Sequence, residues 1–277
     1  MSVHDSQLGL ATVYPTVYDP SLLFPIARSE GRALLGADAP AAISAGVDIW
    51  HLFEMSWLDN TGKPVVAIGR FTLPASSPYL IESKSFKLYL NSLNFATFAT
   101  PSDLISTAER DLSAAAGATV QLELLDVDAL TTYAPVGQCI DALPLTTTPP
   151  PQQPDANLLT LDPAADTGEI IEETLYSHLL RSNCPVTGQP DWGTIFLRYR
   201  GPKVCQNSLL TYIISYRTHS GFHEQCVEQI FADVWRHLRP EALAIHAQYT
   251  RRGGLDINPC RSSIADWLPT VTRLARQ

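Results

Sequence analysis

The chain has 277 residues, 45% of them apolar and 17% charged, with a formal net charge of −9, which is length enough for one large core or two similar ones. No apolar run approaches the roughly 18 residues that a membrane span needs, and an acidic surface argues against broad binding of nucleic acid, whose phosphates require a basic face. Five cysteines (Cys139, Cys184, Cys205, Cys226 and Cys260) are odd in number and irregularly spaced, as free thiols are rather than a disulfide framework; no basic region followed by an apolar stretch opens the chain, so a cytoplasmic protein is expected.

Residues 1–46 are rich in Pro, Gly and Ala and keep no period, which predicts an irregular arm. From Val47 the pattern alternates: Val47, Ile49, His51, Phe53, Met55 and Trp57 share one face and Asp48, Glu54 and Ser56 the other, the mark of a half-buried strand. Asp59 to Pro64 turns it and Val65 to Leu73 runs back. Phe86, Leu90 and Leu93 mark a helix, Leu104, Ile105, Ala108 and Leu112 a second, and Val120, Leu122 and Leu124 a further strand. Consecutive prolines at 149–151 make 141–168 a linker between a first module, 47–140, and a second, 169–277.

The order then repeats. Leu175–Arg181 and Thr194–Arg200 form a hairpin; Leu209, Leu210, Ile213 and Ile214 mark one helix; Val227, Ile230, Phe231, Val234, Trp235 and Leu238 another; Leu243 to Tyr249 alternates as a strand. Each half reads β-β-α-α-β, with a closing strand expected after each. Thr61-Gly62-Lys63-Pro64 matches Thr187-Gly188-Gln189-Pro190 at the same place in both, which points to internal duplication.

Ser182 to Trp192 lies between two apolar runs and reads as a hairpin loop, with one thiol, Cys184, at its entrance and one carboxylic acid, Asp191, at its exit. Brought side by side, such groups can act as nucleophile and proton donor. A small buried hydrophobe is the other common use of a cysteine. Glu82-Ser83-Lys84-Ser85-Phe86-Lys87 opens the first helix, where backbone amides and two lysines suit a phosphate; a capped, solvated helix start is the commoner use of such a stretch. No glycine-rich dinucleotide fingerprint follows a strand, so no Rossmann domain is expected. Gly221 ends one helix, and His223 and Glu224 begin the next; ionised Glu224 either accepts two hydrogen bonds from a guanine-like edge or answers the helix dipole. His219, His223 and Cys226 are set aside as zinc ligands, because Gly221 breaks their shared face and no paired Cys-x-x-Cys supports them. Arg251-Arg252-Gly253-Gly254 suits close approach to phosphate or a solvated turn.

Taken together with Tyr18-Asp19-Pro20-Ser21-Leu22-Leu23-Phe24-Pro25, these stretches resemble the two-module NADPH-dependent 7-cyano-7-deazaguanine reductases, the nitrile reductases of queuosine biosynthesis in the tunnelling-fold (T-fold) superfamily. The resemblance implies an α+β chain of tandem T-fold modules, each an antiparallel four-stranded sheet with two helices, whose sheets join into a barrel in a homodimer. It implies that Cys184 attacks the nitrile carbon to form a thioimide and that Asp191 donates the proton. It assigns Glu224, His223, Ile81, Glu82 and Ser83 to the deazaguanine, and Ser83, Lys84, Arg252 and Gly253 to NADPH, with no metal and no direct contact with nucleic acid. A zinc-dependent cyclohydrolase of the same fold and a non-catalytic purine- or pterin-binding module are the rival readings; pure binding needs neither Cys184 nor Asp191.

Overall fold

A computed structural model describes residues 14–128, 130–165, 168–269 and 273–277. The elements are β1 (Pro25–Ala27), α1 (Arg28–Ala33), β2 (Gly46–Leu58), β3 (Pro64–Pro74), β4 (Tyr79–Ile81), α2 (Ser83–Leu93), α3 (Pro101–Ala116), β5 (Gln121–Leu125), β6 (Gln138–Cys139), β7 (Ile171–Asn183), β8 (Pro190–Gly201), α4 (Gln206–Ser215), α5 (His223–Leu238), β9 (Ala242–Tyr249) and β10 (Leu255–Ser262). The chain is mixed α+β and divides into two compact units, one holding residues up to Leu34, 48–131 and 251–257, the other 35–47, 132–250 and 258–277.

In the first unit β2 lies between β3 and the opening residues of β10, and β5 borders β3 in antiparallel register, with Phe71 opposite Leu122. Phe86, Leu90 and Leu93 of α2 and Leu104, Ala108 and Leu112 of α3 pack on Trp50, Leu52, Met55 and Trp57 of β2. The buried set thus changes phase between Leu52 and Met55, and the expected single alternation along β2 does not hold. Asp48, expected on the solvated face, is 0% exposed and pairs with Arg28 of α1 at 2.5 Å. A charge is tolerated there because a second charge meets it. The arm is also more regular than its composition indicates: β1 pairs with β4, Pro25 opposite Ile81. Residues 1–13 of the arm lie outside the described residues.

Among the described residues no closing strand follows β5 in the first unit. The next strand, β6, is two residues long and runs parallel to β7 in the second unit. There the order is β10 (from Asn258), β9, β8, β7, β6, and α4 and α5 cover one face through Leu209, Ile213, Val227, Ile230 and Phe231. A buried ion pair, Arg261 of β10 with Glu228 of α5 at 2.8 Å, ties sheet to helix. Leu143, Leu145 and Leu158 of the proline-rich stretch pack against this core, and Leu159 is buried in it.

The two units share one set of fastenings. Ser85 Oγ donates to Glu82 O (2.7 Å), Ser92 Oγ to Tyr89 O (2.6 Å) and Tyr89 Oη to Asp111 (2.9 Å). In the second unit Ser208 Oγ donates to Cys205 O (2.8 Å), Ser215 Oγ to Tyr212 O (2.6 Å) and Tyr212 Oη to Asp233 (2.7 Å). The lead-in segments follow suit: Phe24 N–H donates to Ser85 Oγ and Thr160 N–H to Ser208 Oγ. Asp19 caps its own turn at Ser21 N as Asp155 does at Asn157 N. The sequence Asp19-Pro-Ser-Leu-Leu-Phe24 is therefore the counterpart of Asp155-Ala-Asn-Leu-Leu-Thr160, a repeat that composition concealed as arm in one place and linker in the other.

No helix among the described residues is long and apolar enough to cross a membrane. Burial holds the Tyr212 hydroxyl pKa well above its ordinary range, so it remains a donor to Asp233 at any working pH. Tyr212→Phe removes that donor from a buried carboxylate and is expected to cost about 1–3 kcal/mol, read as a melting temperature lowered by several degrees; an unchanged value would show that the bond does not hold α4 to α5.

Candidate active site

The hairpin of β7 and β8 is aimed by one extra residue. Pairing runs Ser177 opposite Ile195 and then Leu180 opposite Gly193, so β7 carries a bulge between them. Bulges turn a strand and leave amides unpaired; here the Asp141 carboxylate takes the His178 N–H at 3.1 Å, and Ser177 Oγ takes the Leu179 N–H at 3.1 Å. Beyond the bulge, Arg181 faces Trp192, Ser182 faces Asp191 and Asn183 faces Pro190. The loop closes with Cys184 N–H donating to Gln189 O (2.8 Å) and Gly188 N–H to Cys184 O (3.0 Å). Gly188, at φ +67°, turns through the left-handed region.

A second segment is stitched to this tip. Asn183 N–H donates to His219 O (2.8 Å) and Gly221 N–H to Asn183 O (3.1 Å), so residues 219–221 run beside the end of β7. A side chain at Gly221 would stand 3.0 Å from His219 Nε2 and 3.4 Å from Cys226 Sγ, so a larger residue there would require those side chains to shift. Two residues on, α5 begins with His223 and Glu224. His223 Nε2 lies 3.9 Å from Asp191 Oδ2, and its ring meets that of Tyr249 edge to face, centroids 4.0 Å apart. Cys184 is 4% exposed, Asp191 5% and Glu224 3%.

Beneath them lies Cys226. Burial pushes its thiol up to about 12, with the Asp191 and Glu224 charges adding to the rise and the Ser182 and Tyr249 hydroxyls opposing it. It is therefore a neutral and inert thiol. Burial lowers the pKa of His219. Among the described residues no three His, Cys, Asp or Glu side chains converge as metal ligands.

The remaining sequence-chosen residues fall in the first unit. Ile81 ends β4, and Glu82 is the N-cap of α2, its carboxylate accepting from Lys84 N–H and Ser85 N–H, both at 2.7 Å. The amides expected to draw an external anion are thus filled by the chain's own acid, and the helix start is capped but not solvated, since Glu82 is 2% exposed. Burial raises the Glu82 pKa against those hydrogen bonds. Ser83 and Lys84 are half-buried. In the turn after β9, Gly253 at φ +61° lets the backbone pass where a Cβ would be 3.3 Å from Lys87 Nζ, and Arg251 lies over Phe53 at 4.7 Å. Arg252 and Gly253 thus share a unit with α2, although some 170 residues separate them in the chain. Sequence reasoning missed Tyr249, Ser182 and Asp141. Tyr249 carries no signal apart from a strand alternation common to core residues, whereas the bulge that needs Asp141 has none.

Residues 14–124 match the family described as "Nitrile reductase, 7-cyano-7-deazaguanine-reductase N-term", and residues 190–266 match "QueF-like protein", which places the chain among the nitrile reductases. The chain is 61% identical over 277 residues to the NADPH-dependent 7-cyano-7-deazaguanine reductase of Acinetobacter baumannii (strain AYE), covering all of both. It is 52% identical to that of Chromohalobacter salexigens, covering all of this chain and 98% of the relative. The chain belongs to the NADPH-dependent 7-cyano-7-deazaguanine reductase family. A solved structure, the archaeosine synthase QueF-Like in the apo form, aligns with a TM-score of 0.30 at 14% identity, over 36% of this chain and 95% of that one, a likeness too slight to bear on the fold.

In the native protein at neutral pH, Cys226 should resist alkylation by iodoacetamide and react only after denaturation. Peptide mass mapping checks this, and native labelling at Cys226 would contradict the buried, neutral thiol.

Proposed function

We propose that the chain reduces the nitrile of 7-cyano-7-deazaguanine to the aminomethyl group with two NADPH, through a thioimide on Cys184, as a step of queuosine biosynthesis for tRNA modification. The observation that carries this reading is the hairpin tip, where Cys184 stands beside the strand that bears Asp191, with His223 Nε2 at 3.9 Å from Asp191. Nitriles accept hydride poorly, and thiol addition converts the group into a C=N that accepts it well.

As Cys184 Sγ bonds to the nitrile carbon, one C–N π bond breaks and Asp191 gives its proton to nitrogen. The proton lost by the thiol restores Asp191, so addition is proton-neutral. NADPH, when bound, supplies hydride. After the first reduction the C–S bond breaks, Cys184 is regenerated and an imine remains for the second; keeping it from water requires an enclosed site. Glu224 accepts two hydrogen bonds from the ring N–H and exocyclic amine of the base, and His223, Ile81, Glu82 and Ser83 complete the recognition of the deazaguanine.

For the cofactor, Ser83, Lys84, Arg252 and Gly253 are our assignment. In their unit α2 and the glycine turn meet, with Lys87 Nζ 3.3 Å from the place of a Cβ at Gly253 and 3.6 Å from the Glu54 carboxylate. Because Glu82 fills the helix amides, the Lys84 ammonium rather than the helix start meets the phosphate charge. We further assign the repeated fastenings to tandem T-fold modules whose sheets join into a barrel in a cytoplasmic homodimer.

Protein mixed with the nitrile, without NADPH, should gain the mass of one substrate, and Cys184→Ala should gain none; an adduct persisting in Cys184→Ala would place the nucleophile elsewhere. Lys84→Ala should still form the adduct but need about ten to a hundred times more NADPH, the loss of one charge-assisted contact of roughly 1.5–3 kcal/mol. If it blocks the adduct yet binds NADPH normally, the stretch serves the substrate instead.

A further inference from the structure

Tyr249 ends β9 opposite Gly193 of β8, and Gly193 lies two residues from Asp191 on the same face of the sheet. A Cβ at Gly193 would stand 3.3 Å from Tyr249 Cδ1. The missing side chain therefore leaves the slot across which the Tyr249 ring leans, and the ring meets His223 at a centroid distance of 4.0 Å and an angle of 90°. His223 Nε2 stands 3.9 Å from Asp191 Oδ2, so the plane of the imidazole decides whether that gap can close to a hydrogen bond. Tyr249 is buried, and its hydroxyl, close to Ser182 and Cys226, makes no hydrogen bond of ordinary geometry. Its ring is what it offers His223.

We propose that Tyr249 is a positioning residue for the reduction: its ring holds the plane of His223 so that Nε2 stays turned toward Asp191, ready to close to hydrogen-bonding distance when the nitrile is protonated. The proposal rests on the assignment of Asp191 as proton donor. It predicts that ring and hydroxyl separate. Tyr249→Phe keeps the ring and should form the thioimide at a rate within about twofold of the unmodified chain. Tyr249→Leu removes the ring and should slow the addition about ten- to a hundredfold per folded molecule, the scale of a misplaced catalytic group. If the leucine variant does not fold, Tyr249→Met fills the space with an unbranched chain and serves in its place.

The discriminating measurement is a double-mutant cycle on thioimide formation without NADPH, followed by intact mass against time, with His223→Ala as the second change. If Tyr249 acts through His223, loss of its ring adds little once His223 is gone. Independent, multiplying losses, or a leucine variant as fast as the unmodified chain, would overturn the proposal and leave Tyr249 as core packing. Failure of the unmodified chain to form an adduct would instead overturn the thioimide reading on which it rests.

Discussion

The site in the second unit depends on two backbone hydrogen bonds, Asn183 N–H to His219 O and Gly221 N–H to Asn183 O. Through them the loop before α5 becomes a partner of the β7 tip, and the first residues of the helix arrive beside the hairpin that carries the thiol and the acid. Neither bond involves a side chain, so the approach is set by the backbones of the two segments. The bulge in β7, held by Asp141, fixes the other half of the geometry: without the extra residue Ser182 would no longer face Asp191.

The two units hold their helix pairs with the same hydrogen bonds and yet differ at the residue heading the first helix. In the first it is Glu82, whose carboxylate caps α2; in the second it is Cys205, which gives α4 no side-chain cap. The hairpins differ in the complementary way, with Leu58 in the first where the second has Cys184. A common scaffold has thus kept its structural bonds in both copies while its chemistry-bearing positions diverged.

Much of this was legible in sequence because burial imposes a period. The helices α2 to α5 and the strands β3, β5, β7, β8 and β9 follow from apolar spacing, and the tip residues Cys184 and Asp191 from the turn between them. What escaped was set by partners distant in the chain. Asp48 looks solvated until Arg28 is seen beside it. The fourth strand of the first unit comes from residues 255–257 rather than from the segment after β5. Of the two uses open to the start of α2, the cap is present, with Glu82 taking the Lys84 and Ser85 amides; that the capping residue is the acid of the same stretch was not read. The contact of Tyr249 with His223 was hidden in sequence, since an aromatic ring in a core and one beside a histidine share the same strand pattern.

A four-electron reduction of the nitrile is measured most directly by its stoichiometry. With limiting 7-cyano-7-deazaguanine and excess NADPH, the fall in NADPH absorbance set against the aminomethyl product by mass spectrometry should give two NADPH consumed per nitrile, with no free imine or aldehyde. One NADPH per nitrile with a released imine or its hydrolysis product, or no oxidation of NADPH at all, would contradict the account.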